Sequence, residues 1–216
     1  ARELRRMTIY DLKPAFQNLL RPLCRVLARD GVTANQITVA ALLGSIIVGF
    51  LFGLSPTSAW ATFLIPIWLF LRMALNAIDG MLAREYNMQS ELGGILNELG
   101  DVISDAALYL PFALVPGISP LLVVTVVLLS VLTEMAGVVA VQIGASRRYD
   151  GPMGKSDRAF AFGLLAFLLG IGLEPGWWAN AGLVLVGILS AWTVVNRAVK
   201  ALSECVANAD HEDHPG

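Results

Sequence analysis

Only 15% of the 216 residues are charged and 56% are apolar, with a mean hydropathy of +0.67. Soluble domains carry about 25% charged residues, so water is not the main solvent of this chain. A net charge of -2 gives no support to a nucleic-acid partner.

The first ~35 residues are studded with Arg and lack a continuous apolar run, so no cleavable signal peptide is expected there. Within residues 1–36, Leu12, Phe16, Leu19, Leu23, Val26 and Leu27 recur at helical spacing, with Lys13, Arg21, Arg25 and Arg29 on other faces. That pattern suits an amphipathic helix lying in the membrane interface, where its basic residues favour anionic headgroups. A solvated helix packed on the rest of the protein is the alternative. Pro14 is tolerable near the helix start, whereas Pro22 is expected to kink the helix or split it in two.

Six apolar segments follow, approximately Ile37 to Leu54, Ala59 to Ala77, Gly93 to Val115, Leu121 to Gly144, Ala159 to Leu173 and Trp177 to Val199. Each is long enough, or nearly so, to cross a hydrocarbon core of about 30 Å. The predicted fold is therefore all-α and integral to the membrane, with six transmembrane helices over residues 37–200. Of the 15 Lys and Arg residues, seven precede Ile37, Arg84 follows the second segment, four lie between the fourth and fifth, and Arg197 and Lys200 end the sixth. Only Arg72 lies inside a segment. The turns near Ser55, Pro116 and Pro175 hold no Lys or Arg, so the positive-inside rule puts both termini in the cytoplasm, as in a bacterial inner membrane. Residues 201–216 form a polar cytoplasmic tail, expected to be disordered, with His211 and His214 as tail residues rather than metal ligands. Cys24 and Cys205 match no metal or redox spacing, and this topology makes them unpaired cytosolic thiols.

The junction between the second and third segments reads Asn76-Ala77-Ile78-Asp79-Gly80-Met81-Leu82-Ala83-Arg84, eight residues, then Gly93-Gly94-Ile95-Leu96-Asn97-Glu98-Leu99-Gly100-Asp101. An acid in a membrane span costs about 2.5–3.5 kcal/mol on insertion scales, so it faces a cavity, a partner or an ion. Asn76 and Asp79 are i, i+3 neighbours on a helix, and Asn97, Asp101 and Asp105 form an i, i+4, i+8 stripe. Two antiparallel helices joined by a short loop aim these oxygens at each other. Such ligands suit a hard cation, Mg2+ or Mn2+.

These residues resemble the CDP-alcohol phosphotransferase (CDP-alcohol phosphatidyltransferase) family, which carries Asp-x-x-Asp-Gly-x-x-Ala-Arg, eight residues, then Gly-x-x-x-Asp-x-x-x-Asp on six-helix membrane bundles. Asp79, Gly80, Ala83, Arg84, Gly93 and Asp101 match at the family spacing, while Asn76 and Asn97 replace the first and third aspartates. Val32-Thr33-Ala34-Asn35-Gln36-Ile37-Thr38 resembles the family's Pro-Asn-x-x-Thr segment before the first span, with Ala34 in place of Pro. Gly154-Lys155-Ser156-Asp157-Arg158 resembles its Gly-Lys segment before the fifth. The likeness extends from Gly31 to Val199.

The resemblance implies a membrane enzyme of phospholipid synthesis. It would transfer a phosphatidyl group from a CDP-alcohol, most simply CDP-diacylglycerol, to an alcohol with release of CMP. It implies that Asn76, Asp79, Asn97 and Asp101 surround the metal, that Gly80, Ala83, Arg84 and Gly93 hold the CDP moiety, and that Asp101 deprotonates the acceptor. Partners would be a CDP-linked lipid donor, an alcohol acceptor, membrane lipids and, as in relatives, a second copy of the chain. The two asparagines keep carbonyl ligands but leave two carboxylates where the family has four. Two divalent ions are therefore less well compensated. A register ending on Asp101 and Asp105 would put Asn97 in the glycine position, and is set aside.

Arg147, Arg148, Lys155 and Arg158 crowd one cytoplasmic loop. Topology alone accounts for such a cluster, while the family resemblance implies that some of these residues bind substrate phosphate. Four cations are more than a neutral alcohol needs, so Lys155 and Arg158, with Arg147 and Arg148, are expected to meet the phosphate of an acceptor such as glycerol phosphate or inositol phosphate. Arg72 and Glu134 sit at comparable depth and are expected to pair. Two other readings remain beside the enzyme: a non-catalytic relative acting as a regulatory or scaffolding subunit, favoured only by the asparagines, and a small-solute transporter, which would need internal repeats that the chain lacks.

Overall fold

The structure, a computed structural model, describes the backbone of residues 9–213 and the side chains of residues 15–208. Among these the chain is helical throughout, without a strand: α1 Ile9–Arg29, α2 Ala34–Leu54, α3 Ala59–Glu85, α4 Glu91–Tyr109, a 3-10 turn Leu110–Leu114, α5 Pro120–Gln142, α6 Lys155–Gly170 and α7 Trp177–Asp213. Four stretches are long and apolar enough to cross a membrane: Ala34–Leu54, Ala59–Glu85, Pro120–Gln142 and Trp177–Asn208. At 19 and 16 residues, α4 and α6 are shorter, about 29 and 24 Å, and α4 carries the acids.

Local chemistry explains the boundaries. Thr33 and Gln36 form a reciprocal capping box that opens α2: the Gln36 N–H donates to Thr33 Oγ1 at 3.3 Å and the Thr33 N–H to Gln36 Oε1 at 2.9 Å. Ser119 caps α5, with Pro120 at its first position. The α3–α4 turn passes through Asn87 at φ 55°, with the Met88 N–H bonded back to Ala83 O at 3.1 Å, a left-handed helix ending in which asparagine stands in for glycine.

Three boundaries differ from expectation. Of the kink or split expected at Pro22, the split does not occur, since α1 runs through it as one helix; the missing amide costs one hydrogen bond, and burial of Cys24, with Leu20 and Leu27 packed alongside, holds the helix on either side. α3 continues eight residues past Ala77, because the polar motif ends the hydropathy signal but not the backbone ladder. Residues 201–213, expected to belong to a disordered tail, are instead the end of α7, which continues to Asp213. Ala201 is buried with Ala140 and Ala145, and the Cys205 thiol donates to Ile143 O at 3.1 Å, so one face of this polar stretch packs while the other meets solvent. His214 lies outside the described residues, as does the side chain of His211.

The chain divides into two compact units, one of residues up to Gly44 with Phe70–Gly100, the other of Ser45–Leu69 with Asp101 onward. The first has a core of Cys24, Ala34, Ile37, Ile78, Met81 and Leu82. In the second, Tyr109 stacks on Phe162 with ring centroids 4.0 Å apart, and Phe112 meets Phe162 edge-on at 5.3 Å. There Gly49 is required by close helix packing, since a Cβ would lie 2.0 Å from Ala107 O. Large apolar side chains such as Leu43, Phe50, Ile67, Leu121 and Leu128 point outward, as they do where lipid is the solvent. On α1, Leu19, Leu23 and Val26 are also exposed. Cys24 and Cys205 are both free thiols, and burial pushes the Cys24 thiol above its ordinary range.

Candidate active site

Within the first unit, Asp79 is buried, with 6% of its surface exposed. Its Oδ2 accepts a 2.9 Å hydrogen bond from Thr38 Oγ1, one turn into α2. Asn76 lies one turn before it on α3. The Arg84 guanidinium folds back over Gly80, where a Cβ would come within 2.9 Å of Nη2 and 3.3 Å of Nη1. The absent side chain thus lets an exposed arginine lie along the helix, leaving a cationic group over a glycine. Gly93 answers a second crowding: its Cβ would lie 2.6 Å from Asn35 Oδ1 and 3.0 Å from Ser90 Oγ. Ser90 Oγ accepts from the Gly93 N–H at 3.0 Å and from Asn35 Nδ2 at 3.2 Å. Asn97 is exposed on α4, one turn before Asp101.

In the second unit, α4 and α6 are joined by two ion pairs one turn apart. Lys155 Nζ bonds Asp101 Oδ2, and Arg158 Nη2 bonds Asp105 Oδ2 at 3.2 Å. Arg158 is fully buried and also donates to Glu134 at 2.9 Å, Thr133 Oγ1 at 2.8 Å and Met153 O at 3.3 Å. Glu134, expected to face Arg72, is bonded to Arg158, to Arg147 at 3.3 Å and to Arg197 at 3.5 Å. Arg148 bridges Asp150 at 2.7 Å and Glu204 at 2.6 Å, and Lys200 holds Asp150 from the other side at 2.7 Å. The Lys200 hydrogen bond first, then those of Arg148, hold the Asp150 carboxyl below its ordinary range. Of the four cations assigned to the acceptor, Lys155 is the most exposed, with 34% of its side chain accessible.

Several of these partners escaped sequence reasoning, and a signal existed for them. Ser190, Thr193 and Arg197 recur on one face of an otherwise apolar helix, as do Ser130, Thr133, Glu134 and Gly137 on α5, and all seven are buried. Polar residues on one stripe of a lipid-embedded helix turn inward. Asp150 and Glu204 carried no comparable mark.

No group of three or more His, Cys, Asp or Glu side chains forms a metal site among the described residues. The donor set of the motif accounts for this, since Asp79 and Asp101 are its only carboxylates and Asn76 and Asn97 supply amide oxygens. An all-oxygen set that includes a carboxylate as buried as Asp79 fits a hard divalent cation.

An all-helical chain with four stretches able to cross a membrane and large apolar side chains facing outward is that of an integral membrane protein. The sequence profile of the CDP-alcohol phosphatidyltransferase family matches residues 31–199, and the chain belongs to that family. It is thus a phosphatidyltransferase of membrane phospholipid synthesis that uses a CDP-linked alcohol, and the family works with divalent metal ions. Inner membrane protein YnbA of Escherichia coli K12 is 49% identical over 198 residues, covering 91% of this chain and 97% of the relative. Archaetidylinositol phosphate synthase of Pyrococcus horikoshii is 30% identical over 103 residues, 48% of this chain and 52% of the relative. Among solved structures, Mycobacterium tuberculosis phosphatidylinositol phosphate synthase PgsA1 with CDP-DAG bound aligns with a TM-score of 0.70 at 20% identity, covering 83% of this chain and 92% of that one. The same protein with manganese and citrate aligns at 0.71 and 20%, covering 84% and 88%. At that identity the likeness is one of fold.

Proposed function

We propose that the chain transfers the phosphatidyl group of CDP-diacylglycerol to a phosphorylated polyol and releases CMP. The observation that carries this reading is the family motif on α3 and α4, with Arg84 laid over Gly80 as a cradle for the diphosphate. Asn76, Asp79, Asn97 and Asp101 hold the divalent cation, which when bound neutralises the diphosphate and the departing CMP. Gly80, Ala83, Arg84 and Gly93 bind the nucleotide side of the donor. Asp101 accepts the proton of the attacking hydroxyl as its oxygen bonds to the phosphatidyl phosphorus and the bond from that phosphorus to the CMP oxygen breaks.

Lys155 is the first of the basic residues proposed to meet the acceptor phosphate, with Arg147 and Arg148 beside it in the loop. Arg158, being buried, serves that end by holding α6. A phosphorylated acceptor is favoured by this concentration of cations, and by the two inositol-phosphate lipid synthases among the similar proteins. In the cell, α2 to α7 supply six spans over residues 37–200, α1 lies in the interface with Leu19, Leu23 and Val26 toward lipid, both termini and the site are cytoplasmic, and two copies associate.

Purified protein given CDP-diacylglycerol, Mg2+ or Mn2+, and separately glycerol 3-phosphate, inositol phosphate, inositol, glycerol or serine should release CMP only with a phosphorylated polyol. Turnover solely with unphosphorylated alcohols would overturn the acceptor assignment. Absence of CMP with every acceptor, in protein shown to be folded, would overturn the donor.

A further inference from the structure

We infer that Thr38 is a positioning residue for the metal-binding carboxylate of Asp79; this rests on Asp79 being a metal ligand, as proposed above. A ligating carboxylate binds well only when its plane is held, and the groups that hold it lie outside the ligand set. Thr38 Oγ1 is 2.9 Å from Asp79 Oδ2 and 3.1 Å from Ala34 O, the carbonyl one turn back on its own helix. Thr38 has one hydroxyl hydrogen for these two acceptors; the nearer, charged carboxylate is the stronger and takes it, while the β-branched side chain on a helix leaves the hydroxyl oxygen few positions to occupy. Asp79 is buried, and a misdirected carboxylate there has little water to compensate it.

Asn35, three residues earlier, fixes the other half of the motif in the same way, through Ser90 to the Gly93 N–H. Asn35 and Thr38 stand one turn apart at the start of α2, so this turn braces both the α3 carboxylate and the first turn of α4. The Asn-x-x-Thr spacing acquires a physical meaning: one helical turn is the interval that lets a single helix reach both elements.

The test is Mn2+ binding to the full-length protein in detergent, read as free Mn2+ by electron paramagnetic resonance, without turnover. Thr38→Val keeps the shape and removes the hydroxyl, and should weaken Mn2+ about 10–100-fold. Thr38→Ser restores the donor and should stay within a few-fold of the wild type. Thr38→Val should also lose some thermal stability without metal, since it leaves a buried carboxylate short of a donor, so metal affinity is the deciding readout: a purely structural threonine would lower the midpoint and leave Mn2+ affinity of the folded protein unchanged. Should Thr38→Val unfold, Thr38→Ala replaces it and the comparison with Thr38→Ser stands. Asp79→Ala separates the two failures. If it weakens Mn2+ while the Thr38 variants bind normally, Thr38 does not position the ligand and the inference is lost; if Asp79→Ala itself binds Mn2+ like the wild type, the metal assignment falls and takes the inference with it.

Discussion

Asp101 and Asp105 stand one turn apart on α4 and each is paired with a cation from the first turn of α6, yet the two pairs are built for different work. The outer pair joins a carboxylate that keeps 16% of its surface to a lysine that keeps 34%. The inner pair joins a carboxylate at 5% to an arginine at 0%, and the same arginine reaches Glu134 and Thr133. Lysine is a flexible, hydrated point charge that exchanges partners readily, whereas arginine is a planar fork that satisfies several acceptors at once. Depth separates the two: the outer carboxylate keeps some exposure, and the inner one is sealed among the helices it joins. This contrast also bears on the choice of base, since only Asp101 combines the motif spacing with access.

The sharpest way to break that contrast is to exchange the roles. Asp101→Asn keeps the shape and removes the proton acceptor, and should lower the rate of CMP release about 10²–10⁴-fold with little change in thermal stability. Near-normal turnover in this variant, with loss in Asp105→Asn, would hand the base to the inner carboxylate.

Arg158→Met should destabilise the protein by about 3–5 kcal/mol, because it leaves Asp105 and Glu134 buried without their shared cation. Thermal unfolding in detergent reads this directly. A variant as stable as the wild type would show that the inner pair is not structural.

Lys155→Ala should be milder. Losing a charged hydrogen bond to the acceptor phosphate, worth about 1.5–3 kcal/mol, should raise the acceptor KM about 10–100-fold while moving the CDP-lipid KM far less. Equal shifts in both would remove Lys155 from the acceptor site.

The smallest effect belongs to the loop clasp of Arg148, Asp150 and Lys200. Asp150 titrates lower in the folded protein than in the unfolded chain, so its contribution is fully present above the ordinary carboxylate value and is lost as pH falls through the lower folded value. Asp150→Asn should therefore cost less than about 1 kcal/mol at neutral pH, and the difference from wild type should close on acidification. A gap that persists unchanged into strong acid would mean the pairing contributes nothing.

Much of this protein is legible one residue at a time. Apolar runs marked the positions of α2 to α7, four of which are long and apolar enough to cross a membrane, the Asn76 to Asp101 spacing pointed to the family, and the Asp101–Asp105 stripe was visible as a helical interval. Burial of a helix in lipid is a property of its own composition, and a motif is a property of local spacing, so neither needs the rest of the chain. Where a helix stops is less legible when packing rather than composition decides it, as the continuation of α7 past Ala201 and the passage of α1 through Pro22 both illustrate.

Partner choice is the part that tertiary structure alone decides. Arg147, Arg148, Lys155 and Arg158 are four similar cations in one loop region, and nothing in their spacing says that Arg158 is sealed against Asp105 and Glu134 while Lys155 keeps an open side. The same holds for Thr38, whose hydroxyl meets a carboxylate 41 positions away. Such contacts depend on which helix faces which and at what depth. The free energy of a charge or a hydroxyl is set by the dielectric and the partners it finds there, and a linear sequence specifies these only through the fold.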